Sequence, residues 1–225
     1  MMNAAAGIFL AARRKPRLPY DAEVEYLEST GTQWIDTGIL PTVNTKAIAD
    51  VQFTRIDTTQ VCGANWSGPP INAFDICGIS NGSWFMRALT AGSPIPSGWT
   101  ADTKRHLFTC DAKTHTASVD DVSITRTAIG LSNPIAIYVF IRHEPNTRTY
   151  PCLLKFFSLR IWDDITIVRD FIPVRFTNEQ GVSEGAMYDR ANPTVGMNPD
   201  GSARTDGLYR NRGTGAFVVG ADKAA

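Results

Sequence analysis

The sequence predicts an all-β fold, an antiparallel sandwich built from roughly a dozen short strands. Three observations carry this expectation. The run 153–174, LLKFFSLRIWDDITIVRDFIPV, alternates Phe157, Leu159 and Ile161 with Ser158, Arg160 and Trp162, the period of two that marks a half-buried strand. Turn-forming residues recur between apolar runs, with Asp163-Asp164 and Asn81-Gly82 the clearest pairs. No segment sustains the spacing of an amphipathic helix.

Composition sets the outer limits. At 225 residues, 43% of them apolar and 20% charged, the chain is globular and long enough to bury a substantial core. Lys+Arg and Asp+Glu both number 22, so there is no basic excess of the kind a nucleic-acid-coating protein needs. The four cysteines, Cys62, Cys77, Cys110 and Cys152, form no CxxC pair and so lack zinc-site spacing. They read as buried thiols; Cys62 and Cys77 would bridge only if their strands were neighbours.

Residues 1–20 form an expected N-terminal arm. An apolar run over 4–12 precedes Arg13, Arg14, Lys15 and Arg17, the reverse of the order in a secretory signal. The run is also far shorter than the roughly 20 residues that span a bilayer. Three readings stand for it: an undocked tail, an arm that inserts Ile8, Phe9 and Leu10 into a partner with Arg13 and Arg14 behind them, or a basic contact with nucleic acid or membrane. The second is the working expectation, with neither nucleic acid nor a membrane span.

One domain is expected over 21–220, with a loop insert at 191–206 and a tail at 221–225. The segment 23–28 alternates like an edge strand, and 33–38 is a second short strand closing on Gly38. In 45–53, TKAIADVQF, residues Ala47, Ala49, Val51 and Phe53 share a face. Trp66, Gly68 and two prolines make 65–72 a loop, and Pro94 and Pro96 make 92–98 another, ending beside Trp99. Residues 74–79 and 83–88 form a hairpin through Asn81-Gly82. Residues 106–111 and 117–124 pair across a polar turn at Lys113-Thr114. The run IAIYVFI, 135–141, reads as one strand buried on both faces.

Several stretches also resemble a known family. EYLESTGTQWIDTG (25–38), VRDFIPV (168–174), GAMYDR (185–190) and NRGTGAF (211–217) are similar to concanavalin A-like, LamG-type jelly-roll domains. The hairpin RHLFTCD…ASVDDVSI (105–124), with its Asp120-Asp121 turn, fits the same pattern. Such domains are frequent in phage structural proteins, prophages and surface proteins of gut bacteria. The resemblance spans 21–220; the insert at 191–206 and the basic arm depart from it. It implies two stacked, curved antiparallel sheets, and a fold of this kind hosts lectins, glucanases and structural modules alike.

Catalytic patterns are weak. A retaining glycosidase needs two carboxylates about 5–5.5 Å apart. Glu23 and Glu25 share a face, with Glu28 nearby, but sit on a charged edge strand, and the adjacent Asp163 and Asp164 point to opposite faces. His106, His115 and His143 are scattered, and no nucleophile elbow, P-loop or dinucleotide fingerprint is present.

Binding chemistry is better represented. Trp66 and Trp99, with Asn65, Asn72 and Arg87 near them in sequence, are the expected glycan platform, because sugar rings stack on aromatic faces while their hydroxyls need fixed polar partners. The competing reading is aromatic plugs at the sandwich ends. Trp34 and Trp162 read as packing residues, and Trp84 is ambiguous. Calcium is a further candidate ligand, through Asp189, Asp200 and Asp206 with Asn192 and Asn198, although Asx turns are the commoner use of such residues. The expectation is therefore a non-catalytic virion module of the decoration or fibre type. It would be multi-copy, would contact neighbouring virion proteins through the arm, and would meet cell-surface glycans through its loops. The alternatives are a secreted or surface-displayed glucanase-like enzyme and a bacterial adhesion lectin.

Overall fold

The computed structural model describes residues 18–66, 72–89, 99–125, 127 and 133–224. The expected arm residues Ile8, Phe9, Leu10, Arg13 and Arg14 lie outside them, as does the 92–98 loop. Among the described residues none is helical, and the strands form an all-β sandwich of two sheets.

The larger sheet runs in the order Val122–Thr125, Thr116–Val119, Arg105–Asp111, Thr45–Phe53, Leu154–Asp163, Thr166–Thr177, Ser183–Asp189 and Leu208–Arg210. Its centre is the expected hairpin. Leu154–Asp163 pairs antiparallel with Thr45–Phe53 on one side and Thr166–Thr177 on the other, and Asp164 takes φ +54° in the turn. The smaller sheet places Gln60–Trp66 between Asn72–Ser80 on one side and Arg142–Glu144 and Tyr138–Val139 on the other.

Side-chain alternation explains how the sheets meet. Along Thr45–Phe53 every second residue is buried, and Ala47, Ala49, Val51 and Phe53 have no exposure. They join Phe108, Phe156, Leu159 and Ile161 of the same sheet against Ala64, Phe74 and Ile76 of the other in one continuous core. Each large side chain so buried contributes roughly 1.5–3 kcal/mol. A second apolar cluster lies on the outer face, where Tyr20 packs edge-on against Tyr188 beside Ile172 and Val174.

Several expectations are corrected. The run 135–141 is not one strand: only Tyr138–Val139 enters a ladder, because Phe140 turns to φ +72°. The run is still well covered, with Ile137 to Ile141 buried. The segment 117–124 is itself a hairpin, turned by Asp120 at φ +50°. Asn65, Trp66 and Asn72 are strand residues rather than loop residues, since the ladder runs on to Trp66↔Asn72. The insert at 191–206 extends the larger sheet through Gly196–Met197 and Ala203–Arg204. The tail is tied down as well: Lys223 N–H donates to the Glu23 carbonyl at 2.8 Å.

Candidate binding site

A β-bulge creates the main surface feature. Between Phe156 and Ser158 the pairing with Thr45–Phe53 slips by one residue, so Phe156 faces Val51 and Ser158 faces Asp50. Two residues then stand where one would, and the bulge re-aims a side chain. Phe157, which strict alternation assigns to the core face, turns outward instead and is half-buried.

Around that ring lies a groove of about 540 Å³ on the outer face of the larger sheet. Phe157 and Ile172 line its apolar part, Ser158 adds a hydroxyl, Glu23, Glu25 and Asp50 bring carboxylates, and Arg105, Arg190 and Lys223 bring cations. Asp50 accepts two bonds from Arg105, from Nε at 2.7 Å and Nη2 at 2.6 Å. This fork holds the guanidinium 3.8 Å from the Phe157 ring centroid. The Asp50 hydrogen bond is also what raises the Arg105 pKa, against the pull of burial. Tyr26 meets Phe157 edge-on at 5.7 Å, and Lys155 Nζ lies 4.4 Å over Tyr26. Two rings in edge contact are thus flanked by a cation at each end, Arg105 on Phe157 and Lys155 on Tyr26. Arg190 is held at the far side by Asp170, with both contacts at 3.1 Å.

Glu23 and Glu25, the carboxylate pair weighed from sequence, both reach this groove. Asp163 and Asp164 do not line it; Asp164 instead accepts from Lys113 Nζ at 2.6 Å.

The expected glycan residues are dispersed. Trp66 stands opposite Asn72 at one end of Asn72–Ser80, whereas Trp84 stands opposite Ile79 near the other end. Trp99 belongs with Trp84, whose N–H donates to its carbonyl at 2.9 Å. At about 3.3 Å per residue the two ends are roughly 20 Å apart, too far for one sugar ring to touch both. Asn65 Nδ2 donates to Glu144 Oε1 at 3.1 Å, and the Asn72 carbonyl accepts from Asn133 Nδ2 at 2.8 Å. Arg87 is bound to the fully buried Asp75. The Asn65 and Arg87 side chains are thus committed to internal partners, and Asn72 is itself buried.

Trp99 does line a second, shallower cleft of about 300 Å³ with Trp84, Thr100, Val119, Asp120 and Val122. Beside it His106 bridges two carboxylates, Nδ1 to Asp120 at 2.7 Å and Nε2 to Asp102 at 2.8 Å. Burial alone would lower the His106 pKa, but the two hydrogen bonds outweigh it and raise the value.

The proposed calcium ligands are not gathered. Asp189 is buried and accepts the amides of Asp170 and Ala191, Asp200 caps Ser202, and Asp206 pairs with Arg204. Each makes the local contacts of an Asx turn or ion pair, and among the described residues no three acidic, His or Cys side chains are arranged to hold a metal ion.

No family model, no curated protein and no solved structure matches the chain.

Proposed function

We propose that this protein is a non-catalytic glycan-binding module and that its site is the groove around Phe157. The observation that carries the reading is the Arg105 guanidinium stacked on Phe157 and fixed there by Asp50. A sugar offers an apolar face of C–H groups and a rim of hydroxyls. The half-buried Phe157 ring suits the first, and the charged groups of Glu23, Glu25, Asp50 and Arg190 suit the second. The finer fold proposed is a concanavalin A-like jelly roll, and the setting proposed is a phage or prophage virion, with the arm docking neighbouring subunits. Both rest on the resemblance of 25–38, 168–174, 185–190 and 211–217.

A second reading has one specific observation behind it. Glu23 and Glu25 share the groove, which a glucanase-like hydrolase would require of an acid pair.

A glycan array followed by titration calorimetry tests the proposal. Phe157→Ala and Arg105→Ala are each expected to weaken binding at least tenfold, equivalent to about 1.4 kcal/mol, while Trp66→Ala leaves it unchanged. Full binding by a folded Phe157→Ala protein would sink the assignment. Reducing-sugar release that disappears in Glu25→Gln would select the hydrolase instead.

A further inference from the structure

Cys62 and Cys152 are 90 residues apart in the chain, yet their sulfurs lie 3.0 Å from one another. That is closer than non-bonded carbon atoms normally pack, about 3.5–4.0 Å, although sulfur is the larger atom. Both side chains are buried, with relative exposures of 1% and 0%. The backbone holds them together independently of the sulfurs. The Val61 amide donates to the Tyr150 carbonyl at 3.0 Å, and the Cys152 amide donates to the Phe140 carbonyl at 2.8 Å. The segment carrying Cys152 therefore runs beside the strand carrying Cys62 whatever the thiols do.

The other two cysteines stand differently. Cys77 is the cross-strand partner of Cys62 in Gln60–Trp66 and Asn72–Ser80, and its thiol also touches Cys62. The ladder slips immediately after this pair, between Cys62 and Gly63. Cys110 has its own acceptor, the Arg87 carbonyl at 3.2 Å.

We propose that Cys62 and Cys152 form a disulfide. It joins Gln60–Trp66 of the smaller sheet to the entry of Leu154–Asp163 in the larger one and leaves Cys77 and Cys110 as thiols. Bringing the sulfurs from contact to a bond length of about 2.05 Å takes a shift of about 1 Å, within the reach of side-chain rotation. The chemistry is thiol–disulfide exchange with a low-molecular-weight disulfide such as oxidised glutathione. One cysteine thiolate attacks it, forming a mixed disulfide and expelling one glutathione thiolate. The second cysteine gives up its proton, attacks the protein-side sulfur and expels the other. Two cysteines are oxidised and one glutathione disulfide is reduced to two thiols. Because both sulfurs are buried in the finished fold, the exchange belongs to the folding chain.

The test is refolding of the full-length reduced chain in a glutathione redox buffer, alkylation of remaining thiols in denaturant, and peptide mapping by mass spectrometry. Two alkylated cysteines, Cys77 and Cys110, are expected, with residues 149–155 linked to the peptide holding Cys62. Trypsin leaves Cys62 and Cys77 together on 56–87, so chymotryptic cleavage after Trp66 or Phe74 is needed to name the partner. Cys77→Ala is expected to retain the link and Cys152→Ser to lose it. Four alkylated cysteines in the refolded protein would overturn the proposal. So would a Cys62–Cys77 link, or loss of the link in a folded Cys77→Ala protein. If refolding yields little material, the same mapping on natively purified protein, held with oxidised glutathione at a urea concentration just below the unfolding midpoint, gives the same decision.

Discussion

Arg87 Nε lies 2.5 Å from Asp75 Oδ2, and the Asp75 side chain has no exposure at all. Burial pushes the Asp75 carboxyl pKa up, and the attraction of Arg87 and Arg142 only partly offsets it. The Arg87 side chain, itself only 14% exposed, is the cation in hydrogen-bond contact with this buried acid. A residue that the sequence suggests for ligand contact is thus an internal counter-ion.

Removing that counter-ion is expected to be costly. Arg87→Met leaves the Asp75 carboxylate buried and unpaired, with a loss of about 3 kcal/mol or more. Asp75→Asn combined with Arg87→Met is expected to cost less than Arg87→Met alone, since no charge is stranded. Urea denaturation of the three proteins checks the order.

Gly63 has no room for a side chain. Its φ is +153°, and a Cβ there would stand 2.3 Å from the Phe74 carbonyl oxygen and 2.6 Å from the Asp75 Cα. Both obstacles are backbone, so they yield only if the ladder opens. Gly63→Ala is expected to destabilise by about 2–4 kcal/mol, read as a lower urea midpoint at unchanged slope.

Ala47 and Ala49 are small, fully buried residues of Thr45–Phe53, a strand in the middle of the larger sheet. Ala49 has no exposure and faces the opposite sheet. Ala49→Leu is expected to overpack the core and cost about 1–3 kcal/mol. On the outer face, Lys46→Gln is expected to stay within about 0.5 kcal/mol. Thermal unfolding of both variants distinguishes an inner from an outer position.

His106 makes part of the stability depend on pH. Its folded pKa lies above 6.5, so its contribution is complete below pH 6.5 and fades as pH rises through the higher folded value. Asp102 and Asp120 act in the opposite sense. Burial works against their charged forms, but hydrogen bonding with His106 outweighs it and lowers both pKa values from 3.8. Their contribution is complete above about pH 4 and fades in acid. The wild type is expected to lose melting temperature between pH 6 and pH 8 relative to His106→Gln. Parallel curves for the two proteins would refute the coupling.

The regular parts of the fold were open to reading from sequence because one physical signal dominates them. Thr45–Phe53 alternates without a break, and the turn at Asp163-Asp164 separates two strands that pair as expected. Phe157 was hidden because a bulge adds one residue to a strand and leaves no mark in composition. Beyond it Leu159 and Ile161 keep the face that alternation assigns them, whereas Phe157 turns outward and Leu154 and Phe156, before the bulge, take the core side instead. The run 135–141 failed for a different reason. Burial on all sides rewards apolar residues whether or not their backbone joins a ladder, and Phe140 leaves it. Asn65 and Arg87 look like surface polar residues until Glu144 and Asp75 are found beside them, and those pairings are distant in sequence. Glu23 and Glu25 were visible as a same-face pair, but the groove they enter depends on Lys223 and Arg190 from the other end of the chain.

The Val24↔Asp222 bridge has a consequence for how the chain can be rewired. With Glu25 N–H donating to the Ala221 carbonyl at 2.9 Å and Lys223 N–H to that of Glu23 at 2.8 Å, the segments 23–25 and 221–223 lie side by side as neighbouring threads. With residues 1–17 removed, a short linker between 224 and 18 would therefore close the sandwich into a circle, and new ends opened at Ile165, an 88% exposed hairpin tip, would yield a circular permutant with the same core. By the same geometry the sandwich suits life as a passenger spliced into a surface loop of another protein, entering and leaving its host at almost one point.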